Sequence, residues 1–114
     1  MPRQIIFHGD SFINFYKELD PKVKQKIMHV LDLIKQVERV PEKFLKSFAG
    51  SKGLYEVRIE NQSNIYRIFC FFDKGNLVIL LNGFQKKTQK TPKSEIEKAM
   101  KLKNEYFKLL LWKP

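Results

Sequence analysis

The sequence predicts one α+β domain in which a helical hairpin packs on one face of a mainly antiparallel sheet, in the order β-α-α-β-β-β-α. Three observations predict it. Apolar residues recur at three- and four-residue spacing between residues 12 and 37 and again between 96 and 107. Residues 54–60 alternate with period two, and two further β-rich apolar runs follow, each set off by a polar or glycine-bearing turn. The chain has 114 residues, of which 43% are hydrophobic, enough for one core and too little for two.

Residues 3–8 form a short β-rich run that ends at the turn-forming pair Gly9-Asp10. Asp10 or Ser11 can cap a first helix carrying Phe12, Phe15, Tyr16 and Leu19 on one side. Asp20-Pro21 reads as N-cap plus N1 proline, since a proline's missing N–H costs nothing in a first turn. The helix behind it aligns Val23, Ile27, Val30, Leu31, Ile34 and Val37, with Lys22, Lys26, His29 and Gln36 opposite. Two helices joined by one proline turn predict a hairpin. Residues 41–53 read as a loop anchored by Phe44-Leu45 and Phe48. In the next strand Tyr55, Val57 and Ile59 point one way and Glu56, Arg58 and Glu60 the other. Residues 61–64 make a hairpin turn, 65–72 a second strand, and Asp73-Lys74-Gly75-Asn76 a second turn. Residues 77–81 are nearly all apolar, as in a central strand covered on both faces. Thr91-Pro92 repeats the cap signal, and Ser94 with Glu97 offers a capping box. A last helix then runs to about Phe107 with Ile96, Ala99, Met100 and Phe107 inward. Residues 1–114 therefore read as one domain, with 108–114 as an apolar tail that docks on the core or binds something else.

The net charge is +10, and polyanions are the partners such a surplus favours, nucleic acid first. The charge is uneven: +3 over residues 1–50, +1 over 51–84 and +6 over 85–114. The last segment opens with Gln85-Lys86-Lys87-Thr88-Gln89-Lys90-Thr91, between a strand end and a helix N-terminus, an arrangement suited to phosphate oxygens. The same run also fits a solvated loop. The single cysteine, Cys70, lies in an apolar run and reads as buried filler, which excludes an intrachain disulfide. No apolar run reaches the roughly 18–20 residues that span a bilayer, and the N-terminus lacks the apolar stretch of a secretion signal. The cytoplasm is the expected compartment, with no membrane partner. No His-x-x-x-His or Asp-rich set and no glycine-rich phosphate loop is present, so neither a metal nor a nucleotide cofactor is expected.

Arg58 and Arg67 sit in adjacent interior strands. Guanidinium groups there cost desolvation energy unless they are paired or face solvent. They read either as ion pairs with Glu56, Glu60 or Asp73, or as a concave basic face fed by Lys86, Lys87 and Lys90. A site of Arg and Lys can catalyse RNA self-cleavage, because the ribose 2′-hydroxyl is the nucleophile. The protein need only align it, neutralise the pentavalent phosphate and help move protons. DNA lacks that hydroxyl.

Leu54-Tyr55-Glu56-Val57-Arg58-Ile59, Tyr66-Arg67-Ile68-Phe69 and the block from Leu81 to Pro92 (LNGFQKKTQKTP) resemble RelE/HigB-type toxins of type II toxin–antitoxin systems, in particular their phage-derived branch. The resemblance covers nearly all of residues 3–107 and leaves out the tail. It implies a RelE-like fold and a metal-independent endoribonuclease that cuts translated mRNA on the ribosome and so inhibits translation. It also implies an antitoxin partner, often of the helix-turn-helix HigA type. By position it makes Arg58, Arg67, Lys86 and Lys87 catalytic, with Arg67 as the phosphate-stabilising arginine. Lys90, Lys52 and Gln85 are the expected RNA contacts. Glu56 stands where some members carry lysine; a carboxylate there can accept a proton if its pKa is raised, or pair with Arg58. A tyrosine near the last helix acts in some members, and only Tyr106 is available. A gyrase-inhibiting toxin of the ParE type and a non-catalytic basic nucleic-acid-binding module are the alternatives.

Overall fold

Eight elements follow one another along residues 2–112, the residues that this computed structural model describes: β1 (Gln4–Phe7), α1 (Ser11–Lys17), α2 (Pro21–Gln36), β2 (Leu45–Ser47), β3 (Tyr55–Asn61), β4 (Asn64–Asp73), β5 (Leu77–Lys86) and α3 (Lys93–Leu111). The five strands form one sheet in the order β1-β5-β4-β3-β2. Only the β1–β5 pair is parallel; the other three are antiparallel.

The start of α2 is set as its sequence dictates. Pro21 sits in the first turn and the Asp20 carboxylate accepts from the Lys22 N–H at 2.9 Å. At its other end the Arg3 guanidinium donates to the carbonyls of Ile34 and Val37, at the helix terminus, and of Glu38 just beyond it. The buried stripe Val23, Ile27, Val30, Leu31 and Ile34 lies, with Phe12 of α1, on Val57, Ile59, Tyr66, Ile68, Cys70, Val78 and Leu80. Cys70 is fully buried, and burial pushes its thiol up to about 12. The opposite face of the sheet carries Phe69, Phe71, Ile79, Leu81 and Phe84 beneath Ala99, Ile96 and Met100 of α3. Residues 77–81 therefore alternate between two cores, as their unbroken hydrophobicity predicts.

Four expectations are corrected. Residues 41–53 contain a strand: β2 pairs Leu45, Lys46 and Ser47 with Val57, Glu56 and Tyr55. The third long strand does not stop near Leu81 but runs on to Lys86. Pro92 is the residue before α3 rather than its first, and no side chain caps that end; Ser94 falls inside the helix, so the Ser94/Glu97 box does not form. Instead the Glu95 and Ile96 N–H groups reach the Pro92 carbonyl at 3.0 and 3.3 Å. Lastly, the helix passes Phe107, whose ring lies 5.4 Å from that of Phe71 while the residue stays 38% exposed, and continues to Leu111. Leu109, Leu110, Leu111 and Trp112 of the tail are exposed rather than docked, while Lys113 and Pro114, like Met1, lie outside the described residues.

Candidate functional site

Strand alternation decides which side chains meet. Arg58 of β3 is the Cα partner of Arg67 on β4, so both point to the α3 side of the sheet with Glu56 and Phe69. The Arg58 N–H is directed outward to the Phe44 carbonyl at 2.8 Å. The arginine pair is consequently a non-hydrogen-bonded one, with Cα atoms about 4.5 Å apart and side chains closer than elsewhere in the ladder. Like charges placed directly opposite destabilise a sheet.

The lysines reach this face through an irregularity. Ile68 pairs with Gly83 but Cys70 pairs with Leu80, so β5 spends one residue more than β4 over that interval. The bulge reverses the alternation. Ile79 and Leu81 face α3 before it, and Phe84 and Lys86 face α3 after it. Without the extra residue Gln85 would take the place of Lys86. Asn82 lies at the bulge, fully buried, and its Nδ2 donates to the Glu95 carbonyl at 3.1 Å and to Glu95 Oε1 at 3.0 Å. Those bonds tie the first turn of α3 to β5 and fix both ends of the intervening loop, residues 87–92.

A cleft of about 420 Å³ opens between β2, β3, the end of β5 and this loop, with Arg58, Glu56, Lys46, Lys86, Gln89 and Lys90 in its walls. Phe48 lies there too, packed edge-on against Phe69 at 5.1 Å. Lys86 and Gln89 also line an adjoining cleft of about 630 Å³ with Gln85, Lys87 and Thr88. Arg67 does not line either cleft. It lies beneath the surface, 5% exposed, with Nη1 donating to the Tyr66 carbonyl at 3.2 Å and Nε 3.8 Å from Glu56 Oε2. Burial first, and the Arg58 charge second, push the Arg67 guanidinium below its ordinary pKa, while Glu56 and Glu60 pull it back up. The Nε atoms of both arginines are buried without a hydrogen-bond partner among the described residues.

Of the residues singled out from sequence, Arg58, Glu56, Lys86 and Lys90 thus share one cleft, Lys87 and Gln85 stand in its neighbour, and Arg67 underlies the first. Lys52 is exposed in the β2–β3 loop and lines neither cleft. Tyr106 donates to Asp73 Oδ2 at 2.7 Å, a bond that raises its pKa. Asp73 ends β4 six residues beyond Arg67, about 20 Å away at 3.3 Å per residue. Two residues escaped the sequence reading. Lys46 stands opposite Glu56 on the unforeseen β2. Asn82, beside Gly83 in an apolar strand, carried the signal of a bulge.

Among the described residues no three His, Cys, Asp or Glu side chains converge as a metal site would require, and no helix is long and apolar enough to cross a membrane. A family model described as "Phage derived protein Gp49-like (DUF891)" matches residues 14–104. A solved structure of E. coli toxin RelE, a double Arg-to-Ala mutant in the free state, superposes with a TM-score of 0.64 at 15% sequence identity. The match covers 89% of this chain and 97% of that one, and at this identity it establishes a RelE-like fold. No curated protein matches the sequence.

Proposed function

The chain belongs to the family of Gp49-like phage-derived proteins, and from that premise we propose that it is the toxin of a toxin–antitoxin pair, an endoribonuclease that cuts translated mRNA on the ribosome without a metal. One observation carries the reading: two opposed arginines, with unpartnered buried Nε atoms, beside a cleft where Lys46, Lys86 and Lys90 converge. A surface that holds like charges together gains stability when an anion enters.

A phosphodiester seated at Arg58 and Lys86 has its non-bridging oxygens neutralised as the pentavalent state forms. Glu56 takes the proton of the attacking 2′-hydroxyl. The 2′-oxygen bonds to phosphorus, the bond to the 5′-oxygen breaks, and Lys86 or Lys87 supplies the proton that the departing oxygen needs. The products are a 2′,3′-cyclic phosphate and a 5′-hydroxyl. Arg67 adds positive charge from below and holds Glu56 in place; Lys90 and Gln85 bind flanking RNA, and Lys52 does so from the β2–β3 loop. An acidic antitoxin, of the helix-turn-helix HigA type, covers the lysine loop in the resting cell, and the site of action is the cytoplasm.

The test is a brief pulse of expression followed by mapping of transcript ends. New breaks inside translated codons are expected, together with growth arrest. Arg58→Ala and Lys86→Ala, both folded, should each lower cleavage by about 10²–10³-fold. Unbroken transcripts, or a DNA-damage response without breaks, would overturn the assignment.

A further inference from the structure

A second cationic cleft lies around the sheet edge from the first. It measures about 460 Å³ and is walled by Lys26, His29, Lys43, Phe44, Arg58 and Glu60. It exists because β2 is short: it pairs with Tyr55–Val57 only, so the edge of β3 away from β4 has no strand beside it from Ile59 to Asn61. Lys26 crosses from α2 to close the gap, donating Nζ to the Glu60 carbonyl at 3.0 Å. Lys43 Nζ stands 5.1 Å from the centre of the Phe44 ring. Lys26 and Lys43 thus stand beside a half-buried aromatic ring and an imidazole. Ammonium groups for phosphates next to rings for bases are the combination that holds single-stranded nucleic acid.

Arg58 belongs to the walls of both clefts. We propose that the second cleft is a flanking subsite for the same RNA strand: the strand leaves the scissile position at Arg58, turns over the open edge of β3, and seats a phosphate against Lys26 and Lys43 with its base on Phe44 and His29. The inference rests on the function proposed above and extends it to substrate length. A strand of a few nucleotides fills the first cleft alone, whereas a longer one gains the second.

Oligodeoxyuridylates test this, since without 2′-hydroxyls they bind uncut. The trimer and the dodecamer are titrated by fluorescence anisotropy at several salt concentrations. Wild-type protein should hold the dodecamer more tightly than the trimer. Lys26→Ala/Lys43→Ala should lose about tenfold on the dodecamer, lower its salt slope by about 1.4, and leave the trimer unchanged. Phe44→Leu, which keeps an apolar side chain against the core, should lose about fivefold on the dodecamer only. Lys17→Ala/Lys22→Ala removes the same charge from exposed positions outside the cleft and should lose much less. Equal losses in that control, equal losses on the trimer, or no loss on the dodecamer would each overturn the subsite. Cleavage of mRNA on translating ribosomes by the same preparations is read in parallel. If cleavage persists, such a result removes the subsite alone; if the wild type neither binds nor cuts, the proposed function falls with it.

Discussion

Replacing Glu56 by glutamine should destabilise the protein far more than a change of one atom suggests. Glu56 Oε2 lies 3.8 Å from Arg67 Nε, and the two residues are 7% and 5% exposed. The amide keeps the shape but removes the charge that offsets two opposed guanidiniums. Breaking a buried ion pair from one side costs about 3–5 kcal/mol. The contact is long and Nε makes no hydrogen bond, so the low end applies, about 3 kcal/mol. For a domain of this size that corresponds to a fall in Tm of roughly 12 °C. Arg67→Met relieves the repulsion with Arg58 and should cost less, about 1 kcal/mol. The double variant Glu56→Gln/Arg67→Met should cost about 2 kcal/mol rather than the additive total of about 4, a coupling of about 2 kcal/mol in a double-mutant cycle. Urea melts at pH 7 measure all four proteins. A Glu56→Gln variant within about 0.5 kcal/mol of wild type, or strictly additive changes, would refute the idea that this carboxylate holds the arginines in place.

A Cβ at Gly83 would collide with the Phe15 ring, so Gly83→Ala should cost about 1–3 kcal/mol through overpacking in a urea melt. The Cys70 thiol, raised to about 12 in the fold, stays protonated where the unfolded chain ionises near 8.5. Its contribution is whole below that pH and is lost between about 9 and 12, at about 1.4 kcal/mol per pH unit; Cys70→Ala should flatten that decline. Tyr106→Phe removes one hydrogen bond to Asp73 and should cost about 1 kcal/mol while leaving RNA cleavage at the wild-type rate, since the hydroxyl is remote from the clefts. A large loss of cleavage would place Tyr106 in the site after all.

Where local physics and tertiary outcome agree, the sequence was legible. Asp20-Pro21 starts α2 and its apolar stripe is buried; the alternation from Tyr55 to Glu60 and the Asp73–Asn76 turn appear in the fold as read. The misses have one cause, since each element is decided by a neighbour rather than by its own residues. Leu45–Ser47 is too short to show a period and is a strand because the edge of β3 offers partners. Asn82-Gly83 looks like a strand end, yet it is a bulge inside β5, held by the Asn82–Glu95 bonds. The candidate site inherits the same division. Alternation alone puts Arg58, Glu56 and Arg67 on one face, but only the bulge brings Lys86 to them, and no pattern in residues 64–73 reveals that Arg67 lies under the surface rather than in the cleft.

If the substrate's own 2′-hydroxyl makes the cut at a cationic site, a single 2′-deoxy substitution must abolish it. A short RNA containing one cleavable position, presented on translating ribosomes, is compared with the same RNA bearing that substitution there. A 2′,3′-cyclic phosphate end is expected from the first and an intact second. A 3′-hydroxyl end, or cutting that survives the missing hydroxyl, would contradict this chemistry.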